Sequence, residues 1–343
     1  MKRIIAGLIG FFFLFGAAQV TFAETTLVIN SFGGAYEKAH LELVIKPFEQ
    51  KYNCKIKIIT AYSADALARL RAQKNKPQFD IVHFSGGQEA IAAKEGLLVP
   101  IKPEQLSNHK DMYPFAVDGI EQGRGPVYSI AAFGILYNTD KVSPAPIGWK
   151  DLSRKELCGR ILLTDISNTY GLLGLLMLNK TNGGSLDDIK PGLEAVKKLL
   201  ACSTIISKSP EIQQNFAQGN AWIAPYAQDY THTLTKAGLP IKFLLPEEGT
   251  PAVFITVNAV AGRPNTDLAI KFIDFSIRAE AQAGWAAALR YSPTNRATKL
   301  SPELAGQVIY GKENIDKLVK FDPIKINANR AAWTDEWNRT IAR

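Results

Sequence analysis

The chain is poor in the residues that usually announce chemistry: its 343 residues include four histidines, three cysteines and three methionines. His40, His83, His109 and His232 show no metal-ligand spacing, and neither HExxH nor CxxC occurs, which removes the common zinc arrangements. A GxSxG nucleophile elbow and a phosphate-binding Walker loop are also missing. Gly123-Arg124-Gly125 lacks the third glycine and the preceding strand of a dinucleotide site. Catalytic triads assemble by geometry and not by chain order, so a hydrolase drawing Ser, His and Asp from distant segments stays open as a second reading. No cofactor or metal is expected. Dense basic runs are missing as well: Lys55 and Lys57 alternate on a strand and Lys197-Lys198 share a helix face. The formal charge of +8 therefore reads as a solvated basic surface, with no nucleic-acid partner.

Long apolar runs are confined to the start. Lys2 and Arg3 precede the run Ile4–Phe15, and Thr21-Phe22-Ala23 places small residues at −3 and −1 of a peptidase site. This is the pattern of a secretory signal over residues 1–23. The run is shorter than the roughly 20 residues of a spanning helix, and no cysteine follows it to take a lipid. Cleavage before Glu24 would leave an untethered chain, as in a Gram-negative periplasm. Removing 23 of 343 residues leaves 320, with a formal charge of +6, enough for two domains with full cores. Export permits disulfides. Cys158 and Cys202 fall in one expected domain and are the favoured pair, with Cys54, which opens a strand, as a buried thiol outside it.

What is present is a regular alternation of strand and helix patterns. Strands are expected at 26–31, Lys55–Thr60 and Phe79–Phe84, with helices around Leu41–Tyr52 (kinked at Pro47), Ser63–Gln73 and Gln88–Glu95. That order predicts an α/β domain with a mostly parallel sheet. An extended run, Tyr128–Tyr137, leads to a second unit. There, strands are expected at Arg160–Asp165, Ala221–Pro225 and Ile241–Leu245, and helices at Tyr170–Leu178, 187–201 and Tyr230–Ala237. A second extended run, Ala252–Val260, precedes a helix at Asp267–Ile277. Trp333 and Trp337, four apart, read as core packing. Two α/β lobes joined by two extended segments imply a first lobe built from both chain ends. The expected divisions are residues 24–131 and 258–343 for lobe 1, with C-terminal helices, and 132–257 for lobe 2.

In open α/β sheets ligands sit beyond the carboxyl ends of strands, where helix N-termini expose amides. Three such loops stand out. Ser31-Phe32-Gly33-Gly34-Ala35-Tyr36 offers close backbone approach and aromatic walls. Ser85-Gly86-Gly87-Gln88 offers a hydroxyl, amides and an amide side chain. Ser167-Asn168-Thr169-Tyr170-Gly171 repeats the arrangement on the second lobe. Each could equally be an ordinary capped turn. Tyr226, Gln228 and Asp229 follow an apolar strand; Asp229 reads either as a partner for a ligand cation or as a helix N-cap before Tyr230. Glu247-Glu248-Gly249 reads as a turn.

Several segments together resemble a known family. They are Ser31–Tyr36; Phe79–Val82 with Gly96–Pro100; Ile135–Lys141 followed by Gly148–Leu152; Ala237–Ile241 with Pro246–Gly249; and Tyr291–Asn295. In this order the chain is similar to the periplasmic solute-binding proteins of the polyamine, thiamine and ferric-iron importer cluster, closest in pattern to spermidine/putrescine-binding proteins. The resemblance implies a two-lobed periplasmic-binding-protein (type II) fold with two crossing hinge strands. It also implies a non-catalytic monomer that closes on a small-molecule solute and docks on an inner-membrane ABC permease. In polyamine binders an Asp on the second crossing strand, preceded two positions earlier by a Trp, grips an amine. Here Phe254 and Thr256 stand in those places. The aromatic wall is kept, but the carboxylate's charge-assisted hydrogen bond, worth about 1.5–3 kcal/mol, is not. Ferric-iron binders use neighbouring tyrosines, and Tyr226 and Tyr230 are four apart. A zwitterion, or an anion with a cationic end, would use both helix N-termini and Asp229. An opine, an amino-phosphonate or thiamine phosphate answers that description. The alternatives are the hydrolase, now placed in the periplasm, and a ferric-iron or chemosensory binder of the same fold. Intact-mass analysis of the exported protein is expected to place its first residue at Glu24; a retained leader would refute the cleavage assignment.

Overall fold

A computed structural model describes residues 25–208 and 210–341; the signal-sequence reading lies outside the described residues. Ten strands run in chain order: β1 (Thr26–Ser31), β2 (Lys55–Thr60), β3 (Ile81–Ser85), β4 (Val127–Asn138), β5 (Ile161–Thr164), β6 (Ser203–Ile206), β7 (Ile223–Ala227), β8 (Ile241–Leu244), β9 (Thr250–Ala259) and β10 (Leu318–Val319). They form two halves that share β4. In the first half the order is β2-β1-β3-β9-β4, with β1 parallel to β2 and β3, and β9 antiparallel to β3 and β4. In the second it is β6-β5-β7-β4-β8, with β5 parallel to β6 and β7, and β4 antiparallel to β7 and β8. Each lobe thus places an antiparallel strand fourth in an otherwise equivalent plan, and helices cover the faces.

The expected strands and helices form with ends shifted by a few residues. The helix expected to kink at Pro47 contains a π-helical turn at Leu41–Ile45, just before Lys46–Tyr52. Proline cannot donate to the preceding turn, and one widened turn absorbs the loss. The short edge strand β6 and the helix Pro210–Ala217 had no legible signal. The boundary expected at 257/258 falls inside β9, whose residues pair with β3 and with β4 of the first lobe. The chain returns from the second lobe earlier, through residues 245–249 between β8 and β9. The ladder hydrogen bonds on both edges of residues 255–256 make that stretch unsuited to bending.

The first core packs Leu27, Ile29, Phe48, Ile81, Phe272 and Trp285; the second packs Leu136, Leu162, Ile212, Phe216 and Leu234. Each such side chain contributes about 1.5–3 kcal/mol by leaving water. A buried ion pair, Arg263 Nε to Asp80 Oδ1 at 2.7 Å, ties the first lobe together at the end of the sheet away from Ser31 and Ser85, and Asp80 also accepts from the Val28 amide at 2.8 Å. His40 and His83 lie edge to face, 4.7 Å apart, inside this lobe. Burial holds the His83 ring down to about 4 and the His40 ring well below its usual range, so both are neutral core groups at neutral pH.

Trp333 and Trp337 are buried, as expected, but their helix, Pro323–Thr340, spans both lobes. At its start Pro323 sits on Gly87 of the first lobe, whose φ is +92° and where a Cβ would come within 2.2 Å of the proline ring. Further along, Lys325 pairs with Asp187 at 2.8 Å and the Trp337 indole donates to Asp165 at 3.0 Å, both in the second lobe.

Cys158 and Cys202 are disulfide-bonded, joining the segments that enter β5 and β6 across 44 residues of chain, while Cys54 is buried outside that bridge. Loop-closure entropy for such a span sets an upper value of about 4 kcal/mol. The Cys158→Ser/Cys202→Ser protein is expected to lose roughly 2–4 kcal/mol of unfolding free energy in urea titrations; an unchanged midpoint would remove the bridge from the stability of this lobe.

Candidate functional site

Between the lobes, bordered by β4 and β9, lies a cavity of about 240 Å³. Ligand pockets commonly run from about 300 to 1,000 Å³, so this one suits a small solute. The first lobe contributes the Gly86-Gly87 turn, Glu89, Phe115 and Arg124; the second contributes Thr169, Leu172 and Leu173. Phe254 and Thr256 come from β9, and Lys320, Phe321 and Arg330 from the C-terminal segment. No histidine lines it.

Its walls are apolar and its charges few. Phe254 and Phe115 face each other at 5.4 Å, and the Lys320 ammonium lies 4.6 Å above the Phe115 ring. Thr256 is oriented by Asn258, whose amide donates to the threonine hydroxyl at 2.9 Å, while the asparagine oxygen accepts from the Gly125 amide at 2.8 Å. Because the hydroxyl already accepts, its own proton is left to donate. Thr169 opens the 13-residue helix Thr169–Thr181, which brings the positive end of its dipole to the cavity. The close seating of that helix requires Gly171, where a Cβ would stand 2.0 Å from the Asp165 carbonyl oxygen.

Among the ionic groups, Arg124 pairs with Asp118 at 3.4 Å. That leaves Glu89, Lys320 and Arg330, none of which has an ion pair among the described residues. Glu89 is 9% exposed, and its Oε2 is buried with no hydrogen-bond partner. Burial raises its carboxyl to about 6; nearby backbone amides of Glu89 and Gly87, and the Arg124 charge, offset this only in part. Burial likewise holds the Arg330 guanidinium below its usual range. Unpaired, desolvated charges are costly in a resting protein.

The sequence-predicted residues divide into groups. The cavity brings together Gly86, Thr169, Phe254 and Thr256. Asn168 is an N-cap, accepting from the Tyr170 amide at 2.9 Å, and Ser85 bonds to the Ser63 hydroxyl at 3.1 Å. Ser31 receives the Gly33 amide at 3.2 Å. Gly33 and Gly34 have positive φ and enter the helix Gly34–His40, away from the cavity lining. Phe32 packs on Tyr36 at 4.8 Å, and the Tyr36 and Tyr128 hydroxyls bond to each other. Gln88 has a buried Oε1 without a partner but does not line the cavity.

On the second lobe, Tyr170, Tyr226 and Tyr230 form a ring cluster with successive centroids 4.8 Å apart. Gln228 donates to the Gln307 carbonyl and lines a separate groove with His232 and Arg290. Gln228, not Asp229, is the N-cap residue of Asp229–Lys236, which corrects the capping alternative for Asp229. The carboxyl of Asp229 is raised to about 6 by burial, and its Oδ1 has no hydrogen-bond partner. It lies outside the cavity lining. Sequence reasoning missed Glu89, Arg124, Lys320 and Arg330. Glu89 is the one with a usable signal, an acid in the first turn after a Gly-Gly loop.

The Glu89 carboxyl, usually at 4.5, is raised to about 6. Its ionisation therefore costs nothing below the unfolded value and an increasing amount as pH rises through the folded one. Glu89→Gln is expected to raise the unfolding free energy of the ligand-free protein by up to about 2 kcal/mol at pH 7.5 and not at pH 4. Urea titrations at both pH values measure this; an equal gain at both would mean that charge is not the cause.

Comparisons with known proteins agree with this architecture. A profile of the bacterial extracellular solute-binding protein family matches residues 44–310. The spermidine/putrescine-binding periplasmic protein of Escherichia coli K12 is 26% identical over 274 residues, covering 76% of this chain and 77% of that protein. The gamma-aminobutyric acid-binding protein of Pseudomonas aeruginosa is 23% identical over 298 residues, covering 83% and 82%. Among solved structures, an ABC transporter protein from Clostridium perfringens superposes with a TM-score of 0.79 at 26% identity, over 92% of this chain and 99% of that one. With the profile spanning most of the chain and the two-lobed topology in place, the chain belongs to the bacterial extracellular solute-binding protein family.

Proposed function

We propose that this protein is the periplasmic receptor of an ABC importer: it captures a small, nitrogen-containing polar solute between its lobes and delivers it to an inner-membrane permease. The cavity carries the reading. Both lobes line one cleft with largely apolar walls and three charges left without ion pairs. A solute that supplies the missing partners binds the closed arrangement and stabilises it by mass action. Closure is by bending at the two places where the chain passes between sheets, near Ala132 in β4 and at 245–249 before β9. It acts as a monomer with no catalytic step. The periplasmic location is supported by the signal-like start and by the periplasmic names of its relatives. The hydrolase alternative needs a histidine at the site, and the cavity lining contains none.

A thermal-shift screen of polyamines, thiamine species, opines, amino-phosphonates and ω-amino acids is expected to yield at least one ligand. At 100 times its Kd, that ligand raises Tm by roughly 5 °C. Small-angle scattering should then show a smaller radius of gyration with ligand, and Leu173→Arg, which fills the cavity, should abolish both effects. Silence across the whole panel from correctly folded protein would overturn the receptor reading.

A further inference from the structure

The charges in the cavity are of both signs and sit on different elements, which restricts the solute more than its volume does. The lining holds two cations without ion pairs, Lys320 and Arg330, together with the N-terminus of the helix Thr169–Thr181 and the donor hydroxyl of Thr256. All four favour an acceptor-rich, negatively charged group. The same lining holds one buried carboxylate without an ion pair, Glu89, with an oxygen that has no partner. It favours an N–H donor or ammonium. Phe115, Phe254, Leu172 and Leu173 offer only apolar contact and suit a methylene span.

We propose that the solute is a small zwitterion with one acidic head, carboxylate or phosphonate, and one amino end separated by a short apolar stretch. The acidic head lies on Arg330, Lys320 and the Thr169 helix end, and the amine lies on Glu89. This assignment rests on the receptor reading above and adds the substrate class to it. A diamine would bring a second ammonium to two cations and a helix N-terminus. A diacid would bring a carboxylate to Glu89. Each loses one charge-assisted contact and gains a repulsive one.

Titration calorimetry at pH 7.5 with five probes separates the classes. The probes are the zwitterions 4-aminobutyrate, 5-aminopentanoate and 2-aminoethylphosphonate, the diamine putrescine, and the diacid succinate. At least one zwitterion is expected to bind about tenfold or more tighter than putrescine and succinate. Arg330→Gln should weaken that zwitterion by about tenfold or more while improving putrescine relative to it, and Arg330→Lys should keep the preference. Glu89→Gln should weaken the zwitterion and improve succinate relative to it. Circular dichroism confirms that each variant is folded. Putrescine or succinate binding tighter than every zwitterion, no zwitterion binding at all, or variants that weaken all probes equally would each overturn the assignment. A ligand of another class emerging from the wider screen would then leave the receptor reading standing.

Discussion

The fold depends on β4. All twelve of its residues are buried, and it serves as a strand of both sheets: its first half pairs with β9, its second with β7 and β8. In the second lobe, where it has a strand on each edge, a register shift would break both ladders at once. The two lobes are therefore indexed to one another through a single backbone, on which the two ladders meet at Ala132 and Phe133. The cavity lies beside this strand, where Val127 and the irregular pairing at Val127–Ser129 form part of its wall.

Rigidity and openness are distributed accordingly. Two buried polar groups remote from the cavity are well partnered: Asp80 holds Arg263 and a β1 amide, and Asn30 bridges the Ala61 and His83 carbonyls at 3.0 Å each. At the cavity the balance is different for two charged groups. Glu89 and Arg330 are both desolvated without ion pairs, and for Glu89 the nearby amides and the Arg124 charge offset burial only in part. Such groups weaken the empty protein, and a solute that satisfies them returns the lost stabilisation as affinity. Asp229 shares the desolvation but sits among tyrosine rings on the second lobe, outside the cavity lining.

Much of the architecture was readable because it rests on local periodicity. The alternation Lys55–Thr60, the apolar run into Ser85 and the long extended segment before Asn138 became β2, β3 and β4. The pair Cys158–Cys202 followed from both cysteines falling in one lobe. The cavity lining was legible where it is made of backbone and turn chemistry, as at Gly86 and Thr169, and where an extended strand presents alternate residues, as at Phe254 and Thr256. It was illegible where it depends on distant chain packing. Arg330 sits on a polar helix that reads as solvated, and its role follows only from how that helix is anchored. Lys320 had no neighbouring motif. The return crossing was placed too late because β9 is apolar along most of its length, so its pattern does not mark where one lobe gives way to the other.

The terminal helix has its first residue against the Gly87 turn and its later tryptophan on Asp165, which makes it a brace independent of the strand connections. Its residues can be exchanged on the inward side while both sheets, their crossings and the disulfide stay untouched. Divergent selectivity in such a molecule can thus arise by editing one peripheral rod, with the mechanical parts inherited unchanged.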